Sequence, residues 1–558
     1  MQNSLKINKL QSIGGGVINK LTYPTKHLFF VYLLLLNLAT NFIYFCIQHN
    51  IITFIEIVLM SFLIAYCESV IFCLTKGLFK IIYSLFIAVI NNLLILTEFF
   101  LFLNFHMVIS HEAVDIIADT NTEECKNFIE SYLGVGTIIL FVCSCIAFNF
   151  IIVTIAKHIK KLKIGDIMTS LSFMGFCLFA YCVYGFVHYG SGMNIPMTST
   201  LTRSVYAIYR TKQKIEGNKL VRIVCENLKV TQISKDKPTI VVIIGESYSV
   251  YHSSLYGYKK NTNPLLKNMA NKGELYIFDN AVTLHPATTA SMYADFSLDS
   301  LGYGFTEKPL FPACFKKAGY YTAMYDNQYF VGEGLSFLCD KELSKSLYDF
   351  RNNKRYTYDE DMVKSIVPEN KQALYIIHLW GQHYTYKDRY PKEFNHFKPS
   401  DYDERIPLSK REIIAHYDNA TLYNDFVVKQ AIKKFSDKDC CILYFSDHGE
   451  EIYDLGDFMG HGTAEHSSNP NYQLRVPLMV WMSSKFKQKH PKIEKSLFNA
   501  KHFPISMDDI SHTIIDIAGI YCKYFSPTRS FINNKYDKNR HRIVLKSIDY
   551  DKSIMKAR

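Results

Sequence analysis

The sequence has no glycine-rich loop of the P-loop type, no internal repeat, no long low-complexity tract and no basic run interleaved with stacking aromatics. Without a loop of backbone N–H groups to cradle phosphates, nothing marks it as a user of nucleoside triphosphates. Without basic stretches that carry stacking rings, it has no signature for nucleic acid, and no nucleic-acid partner is expected. What the chain has in quantity is apolar surface. Of its 558 residues 49% are hydrophobic and 15% aromatic, yet mean hydropathy is only +0.01. An average that neutral hides two parts of opposite character.

The first part is made of apolar runs from about Leu28 to Gln48, Ile51 to Leu74, Phe79 to Leu103, Val135 to Ala156 and Met168 to Tyr189. Each approaches or exceeds the ~20 residues that carry a helix across a bilayer. The first run is followed by four more, so it is expected to be an anchor and not a cleaved leader. Lysines set the orientation. Lys6, Lys9, Lys20 and Lys26 precede the first run, Lys76 and Lys80 lie between the second and third, and Lys157, Lys160, Lys161 and Lys163 between the fourth and fifth. The positive-inside rule then puts the N-terminus in the cytoplasm, and five spans put the large C-terminal part outside. Glu56, Glu68 and Glu98 lie inside the predicted spans, where a carboxylate is costly. Between the third and fourth runs the chain is acidic. There Thr120-Asn121 followed by Glu124 reads either as a helix cap or as part of a short amphipathic piece at the membrane surface.

The second part carries the chemistry. Cys441-Ile-Leu-Tyr-Phe-Ser-Asp447-His448-Gly449-Glu450 is a strand-forming run that ends in a carboxylate and an imidazole. In an open α/β sheet, ligands bind just outside the carboxyl ends of the strands. Thr239-Ile-Val-Val-Ile-Ile-Gly245-Glu246 ends the same way, and Ala373-Leu-Tyr-Ile-Ile-His378 is followed closely by His383. Glu246, Asp447 and His448 together would give a divalent cation three protein ligands and leave a position open for chemistry. Between these runs, His285-Pro286-Ala287-Thr288-Thr289 reads as a helix N-terminus, where backbone N–H groups favour an anion. A threonine there is either a cap or a nucleophile that needs a metal or a base to be activated.

These residues carry a resemblance. Gly245-Glu246-Ser247, Leu255-Tyr256-Gly257-Tyr258 and Thr262-Asn263-Pro264-Leu265 resemble the opening signature of bacterial phosphoethanolamine transferases, which are membrane enzymes of the alkaline phosphatase and sulfatase superfamily. Ala318-Gly319-Tyr320, Asn327-Gln328, Gly381-Gln382-His383, Arg389-Tyr390-Pro391, Tyr417-Asp418-Asn419, the Asp447-His448-Gly449-Glu450 turn and Arg475-Val476-Pro477 follow in order. The resemblance implies that Glu246, Thr288, Asp447 and His448 hold zinc, with Thr288 also the nucleophile. It prefers Thr288 to Thr289 because Phe296 and Ser297 then fall on the family's Phe-Ser pair. It further implies that His383 and His461 hold the transferred phosphoryl group, with His466 close by in the same loop, and that Glu124 belongs to the approach of the lipid donor.

Fourteen cysteines are less decisive than their number suggests. Eight lie in or beside the apolar runs. The other six, Cys225, Cys314, Cys339, Cys440, Cys441 and Cys522, allow about 15 pairings, and adjacent Cys440 and Cys441 on one strand point to opposite faces. The segment 531–558 is rich in lysine and arginine and shows no motif.

The combined expectation is a polytopic helical membrane domain over 1–190 with about five spans, an amphipathic connector over 191–235, an α/β sulfatase-like periplasmic catalytic domain over 236–530 and a basic tail. The resemblance implies that phosphoethanolamine moves from phosphatidylethanolamine to lipid A, the lipopolysaccharide core or another envelope glycan, at the bacterial inner membrane. A net charge of +11 suits anionic lipid surfaces. The rival readings are a glycerol-phosphate transferase of the lipoteichoic acid synthase type and an inactive membrane sensor with the same fold. A true sulfatase would need a Cys/Ser-x-Pro-x-Arg setting, which is absent near Thr288.

Overall fold

A computed structural model of the protein describes residues 19–48, 51–105, 108–110, 113–114, 126, 134–189, 200–232, 234–299, 308–333, 336–462 and 469–555. The chain forms two compact units, one within 1–212 and one made mainly of 213–558.

The first unit is helical. Its helices are α1 (Leu28–Gln48), α2 (Ile51–Leu74), α3 (Gly77–Phe105), α4 (Val135–Lys161) and α5 (Gly165–Tyr189). Among the described residues, α1 to α4 are long and apolar enough to cross a membrane, and α5 is apolar over Gly165–Tyr181. The runs read from hydropathy coincide with these five helices. Two of the three glutamates within these helices find partners. Glu98 is fully buried and pairs with Arg203 at 2.5 Å, while its carboxylate also accepts from Thr200 Oγ1 at 2.8 Å and from the backbone N–H of Ile109 at 2.9 Å. Glu68 accepts from Asn91 at 3.0 Å and from Asn37 at 3.3 Å. Pairing inside the bundle is how a spanning helix tolerates a carboxylate.

Where the sequence suggested a connector over 191–235, the structure has the helix α6 (Thr200–Glu226). Beyond it lies a seven-stranded sheet with the order β2-β7-β6-β1-β5-β3-β4. The strands are β1 (Thr239–Gly245), β2 (Leu275–Phe278), β3 (Tyr321–Asp326), β4 (Phe350–Arg351), β5 (Ala373–His378), β6 (Cys440–Ser446) and β7 (Leu478–Met482). β6, β1, β5, β3 and β4 run parallel, and β7 runs antiparallel to β6 and β2.

Period-two alternation divides the core. Ile240, Val242 and Ile244 of β1 join Cys441, Leu443 and Phe445 of β6 on one face, and Val241 and Ile243 join Cys440, Ile442 and Tyr444 on the other. Cys440 and Cys441 therefore do point apart, and no disulfide joins any of the six cysteines of this unit. The first face is covered by the helix α7 (Thr288–Phe296), among other elements, and the second by the long helix α8 (Leu408–Phe435). Segment 531–555, read from sequence as a basic tail, is folded into this unit: Phe531, Tyr536, Arg542 and Val544 are all buried. Its charge obscured the reading, because Arg540 and Arg542 are consumed by internal ion pairs with Asp508 and Asp551.

Candidate active site

Parallel pairing sets the register. Gly245 lies opposite Ser446 and Ile244 opposite His378, so Glu246, Asp447, His448 and His378 emerge at one edge of the sheet. The turns that carry them are tightly tied. Ser247 adopts a left-handed φ of 55°, with its carbonyl accepting from Tyr417 of α8 at 2.5 Å and its N–H donating to Asp447 Oδ1 at 3.2 Å. A side-chain atom on Gly449 would meet the Tyr472 carbonyl at 2.3 Å, and one on Gly381 (φ +51°) would meet the Glu246 nitrogen at 2.9 Å. Only glycine fits either position.

The motif residues shared with the transferase signature mostly build support. Asn263 donates to Tyr248 at 2.8 Å and accepts from Ser253 at 2.8 Å, and the Tyr256 hydroxyl meets the backbone of Leu478. Asp418 of α8 accepts from Tyr258 and Tyr402 and pairs with His252 at 2.7 Å. Burial opposes the charge on His252, but Asp418 and Asp454 push its imidazole up to about 10.

Four side chains meet at the centre. Thr288 Oγ1, at the first position of α7, lies 3.4 and 3.3 Å from the two Glu246 oxygens and 3.3 Å from His448 Nε2. His448 Nε2 is 3.3 Å from Glu246 Oε1 and 3.2 Å from Asp447 Oδ2. His448 Nδ1 lies 2.9 Å from the Gly449 carbonyl, and donating its proton there lets Nε2 present a lone pair to a metal. Asp447 Oδ1 accepts from the N–H groups of Ser247 and His448, whereas its Oδ2 is buried without a hydrogen bond.

Burial opposes ionisation of Glu246, yet the hydrogen bond and charge of His448 hold its carboxyl well below the usual range. Burial, with Glu246 beside it, pushes Asp447 well above. Two carboxylates, one of them with an orphan oxygen, and an imidazole nitrogen converging in a buried pocket fit a divalent cation. The Glu246, Asp447 and His448 donor atoms lie within 4.8 Å of one another, as do those of a second group, His448, Glu450 and His461.

His461 lies over the centre, its ring 4.0 Å from that of His448 and its Nδ1 2.6 Å from Glu450. His383 is half-buried beyond β5, and desolvation pushes its imidazole down to about 4. Glu124 and His466 lie outside the described residues.

Sequence reasoning gave no role to three further groups. Gln328 donates to Glu246 Oε2 at 3.0 Å, His378 faces Asp326 at 3.1 Å, and Glu450 accepts from Tyr386 at 2.6 Å. Each follows or ends a strand that meets the site, which was the available signal.

The sulfatase family model matches residues 238–520, more than half of the chain. The phosphoethanolamine transferase EptC of Escherichia coli (strain RS218) is 27% identical over 495 residues, covering 79% of this chain and 82% of that protein. The chain belongs to the sulfatase family, in its phosphoethanolamine transferase group. CptA of Salmonella typhimurium, also a phosphoethanolamine transferase, is 33% identical over 347 residues, covering 57% and 58% of the two chains. The crystal structure of the C-terminal periplasmic domain of E. coli EptC in complex with Zn is 28% identical, with a TM-score of 0.52, over 58% of this chain and 96% of that one. The integral membrane transferase EptA of Neisseria meningitidis shares the fold over 90% of this chain and 97% of its own, with a TM-score of 0.61 at 16% identity. Apolar helices followed by a sulfatase-like domain thus make a membrane-anchored enzyme.

Proposed function

We propose that the protein transfers phosphoethanolamine from phosphatidylethanolamine to a sugar-containing acceptor, lipid A or the lipopolysaccharide core, through a phosphothreonine at Thr288. The observation that carries this reading is the Thr288 hydroxyl at 3.3 to 3.4 Å from Glu246 and His448, at a helix start. Relatives named for this chemistry support the substrate class. One of them, from E. coli strain K12, is named as a Kdo(2)-lipid A phosphoethanolamine 7''-transferase.

Glu246, Thr288, Asp447 and His448 are the residues that would hold zinc. Bound there, zinc supplies a Lewis acid that eases loss of the threonine proton and offsets charge on the phosphoryl group. The chain's own residues do the rest. The Thr288 hydroxyl donates toward the two Glu246 oxygens, so its proton leaves toward that carboxylate. The Oγ–P bond forms as the P–O bond to diacylglycerol breaks, and diacylglycerol departs with a proton. An acceptor oxygen then attacks phosphorus, the Oγ–P bond breaks, and Thr288 regains its hydroxyl. His383 and His461 are assigned to hydrogen-bonding the phosphoryl oxygens. Glu124 is assigned to the donor's approach.

The lysine bias supports a bacterial inner-membrane protein with five spans and a periplasmic catalytic domain. The domain divisions near 190 and 236 belong to this same reading. Outside the cytoplasm there are no nucleoside triphosphates, so a lipid headgroup is the reasonable donor. The test is to supply purified protein with phosphatidylethanolamine alone and map the adduct by fragmentation, then compare envelope glycolipids by mass spectrometry with and without the protein. A phosphoethanolamine group on Thr288 and on a glycolipid is the expected result. An adduct on Thr289, or none, overturns the mechanism, and unchanged glycolipids overturn the acceptor.

A further inference from the structure

The C-terminal segment carries the least motif-like sequence in the domain, yet it is among the most tightly tied. Arg542 is only 1% exposed. Its guanidinium donates to the carbonyl and the side-chain oxygen of Asn280 at 3.1 and 2.8 Å and pairs with Asp551. The Leu545 N–H donates to the Leu284 carbonyl at 3.0 Å. Val544, Leu545, Tyr550 and Ile554 pack with Val282 and Leu474, and the Tyr550 hydroxyl donates to Asn471 at 2.5 Å. To make these contacts the strand pair Ile543–Val544 and Ile548–Asp549 reverses through Leu545 and Lys546, at φ 50° and 70°. Left-handed non-glycine residues are strained and persist only where the surroundings over-determine them.

One strap therefore grips two segments, 280–284 and 471–474, and both lead into the site. The Thr283 N–H donates to the Leu474 carbonyl at 2.9 Å, which joins them. Thr283 Oγ1 donates to Ser291 Oγ at 3.1 Å and Ser291 Oγ to the His285 carbonyl at 2.6 Å, which fixes the turn into α7 that presents Thr288. The Gln473 carbonyl accepts from Gly449 N–H at 2.9 Å, directly behind His448.

We infer that the C-terminal strap is a positioning device for the reaction. Arg542 and Tyr550 hold the Thr288 turn in register with the His448-Gly449 turn, so that the hydroxyl meets the strand-borne ligands. The inference rests on Thr288 being both nucleophile and zinc ligand. No other proposed ligand comes from the gripped 280–288 segment, so a loosened strap weakens zinc binding and slows adduct formation together while donor binding is kept.

The experiment uses the full-length protein in nanodiscs. It measures zinc affinity by chelator competition, the rate of Thr288 adduct formation, KM for phosphatidylethanolamine and Tm. Arg542→Ala is expected to lower zinc affinity and adduct rate each about tenfold, the size typical of groups that orient metal ligands. KM should move by less than about twofold. Arg542→Lys should recover part of both losses. Tyr550→Phe, which removes one hydroxyl and leaves the ring packed, should give the same pattern at about threefold to fivefold, the worth of one hydrogen bond. Phe435→Leu is the control: this buried ring at the end of α8 packs on Tyr375, and its replacement should lower Tm while leaving zinc affinity and adduct rate unchanged. Wild-type zinc affinity and adduct rate in Tyr550→Phe and Arg542→Ala overturn the inference. So does a Phe435→Leu variant that loses both in proportion to its Tm. Adduct formation that survives Thr288→Ala, measured alongside, overturns the nucleophile itself and not the strap alone.

Discussion

The two halves of the active site are held in different ways. Glu246, Asp447 and His448 leave the ends of paired parallel strands, and all three are fully buried. Asp447 Oδ1 and Glu246 are held by short bonds from Ser247 and His448, down to 2.7 Å. Thr288 and His461 come from a helix start and a loop. Thr288 meets its neighbours only at 3.3 to 3.4 Å, and His461 remains 26% exposed. The strand half fixes charge in advance, which is what a preorganised electrostatic site needs. In the proposed reaction the turn half carries the groups that change covalent partner or meet a group passing through, and such groups sit on segments that can adjust.

The sharpest way to break this contrast is at Thr288. Thr288→Ala should cut transfer by at least about a thousandfold, as removal of a nucleophile does, and abolish the covalent adduct. Thr289→Ala should leave much of the activity. Radiolabelled headgroup transfer reads both. If the two variants lose activity equally, the hydroxyl at the helix start has no special role.

The next largest effect tests the strand half. Asp447→Ala removes the orphan Oδ2 together with Oδ1 and the bonds Oδ1 accepts from two backbone N–H groups, and zinc affinity should drop about a hundredfold. Elemental analysis after dialysis is the check, and full zinc retention would contradict the ligand set. His461→Ala sharpens the comparison from the other side. Transfer should fall about ten- to a hundredfold, as for loss of one charge-stabilising donor, while zinc content stays near that of the wild type.

How much of this was readable from the sequence follows from the same contrast. Glu246, Asp447 and His448 were legible because unbroken runs of strand formers ended at them, and parallel register forces such ends together. The helical unit was legible because apolar length is a direct physical requirement of a bilayer. Thr288 was separated from Thr289 only by resemblance, since one residue along a helix start rotates the side chain by about 100° and periodicity does not show which faces inward. Gln328 and Glu450 were quoted within motifs but given no role, because their partners, Glu246 and Tyr386, lie 82 and 64 residues away. The strap showed no motif for a related reason. Lysine and arginine in a terminal segment look like solvated charge until their carboxylate partners, Asp508 and Asp551, are placed beside them.

The smallest expected effect concerns Asp295, one residue from the end of α7 and about two turns from Thr288. It is fully buried, and neither carboxyl oxygen has a hydrogen-bond partner. Burial, then the Asp447 and Asp508 carboxylates, push it well above the usual range, so the folded protein holds a proton there that the unfolded chain releases near pH 4. With more protons bound in the folded state than in the unfolded one, stability falls as pH rises above the unfolded value, until the folded group itself ionises. Asp295→Asn keeps the shape and removes the ionisation, so that slope should vanish. The amide's own unsatisfied donors add a constant that cancels when one pH is compared with another. Urea midpoints at pH 5 and pH 8 should therefore differ less in Asp295→Asn than in the wild type, with the variant gaining relative stability at pH 8. An equal difference in both proteins would mean that Asp295 is charged in the fold, and so has a cationic partner that neither face of α7 displays.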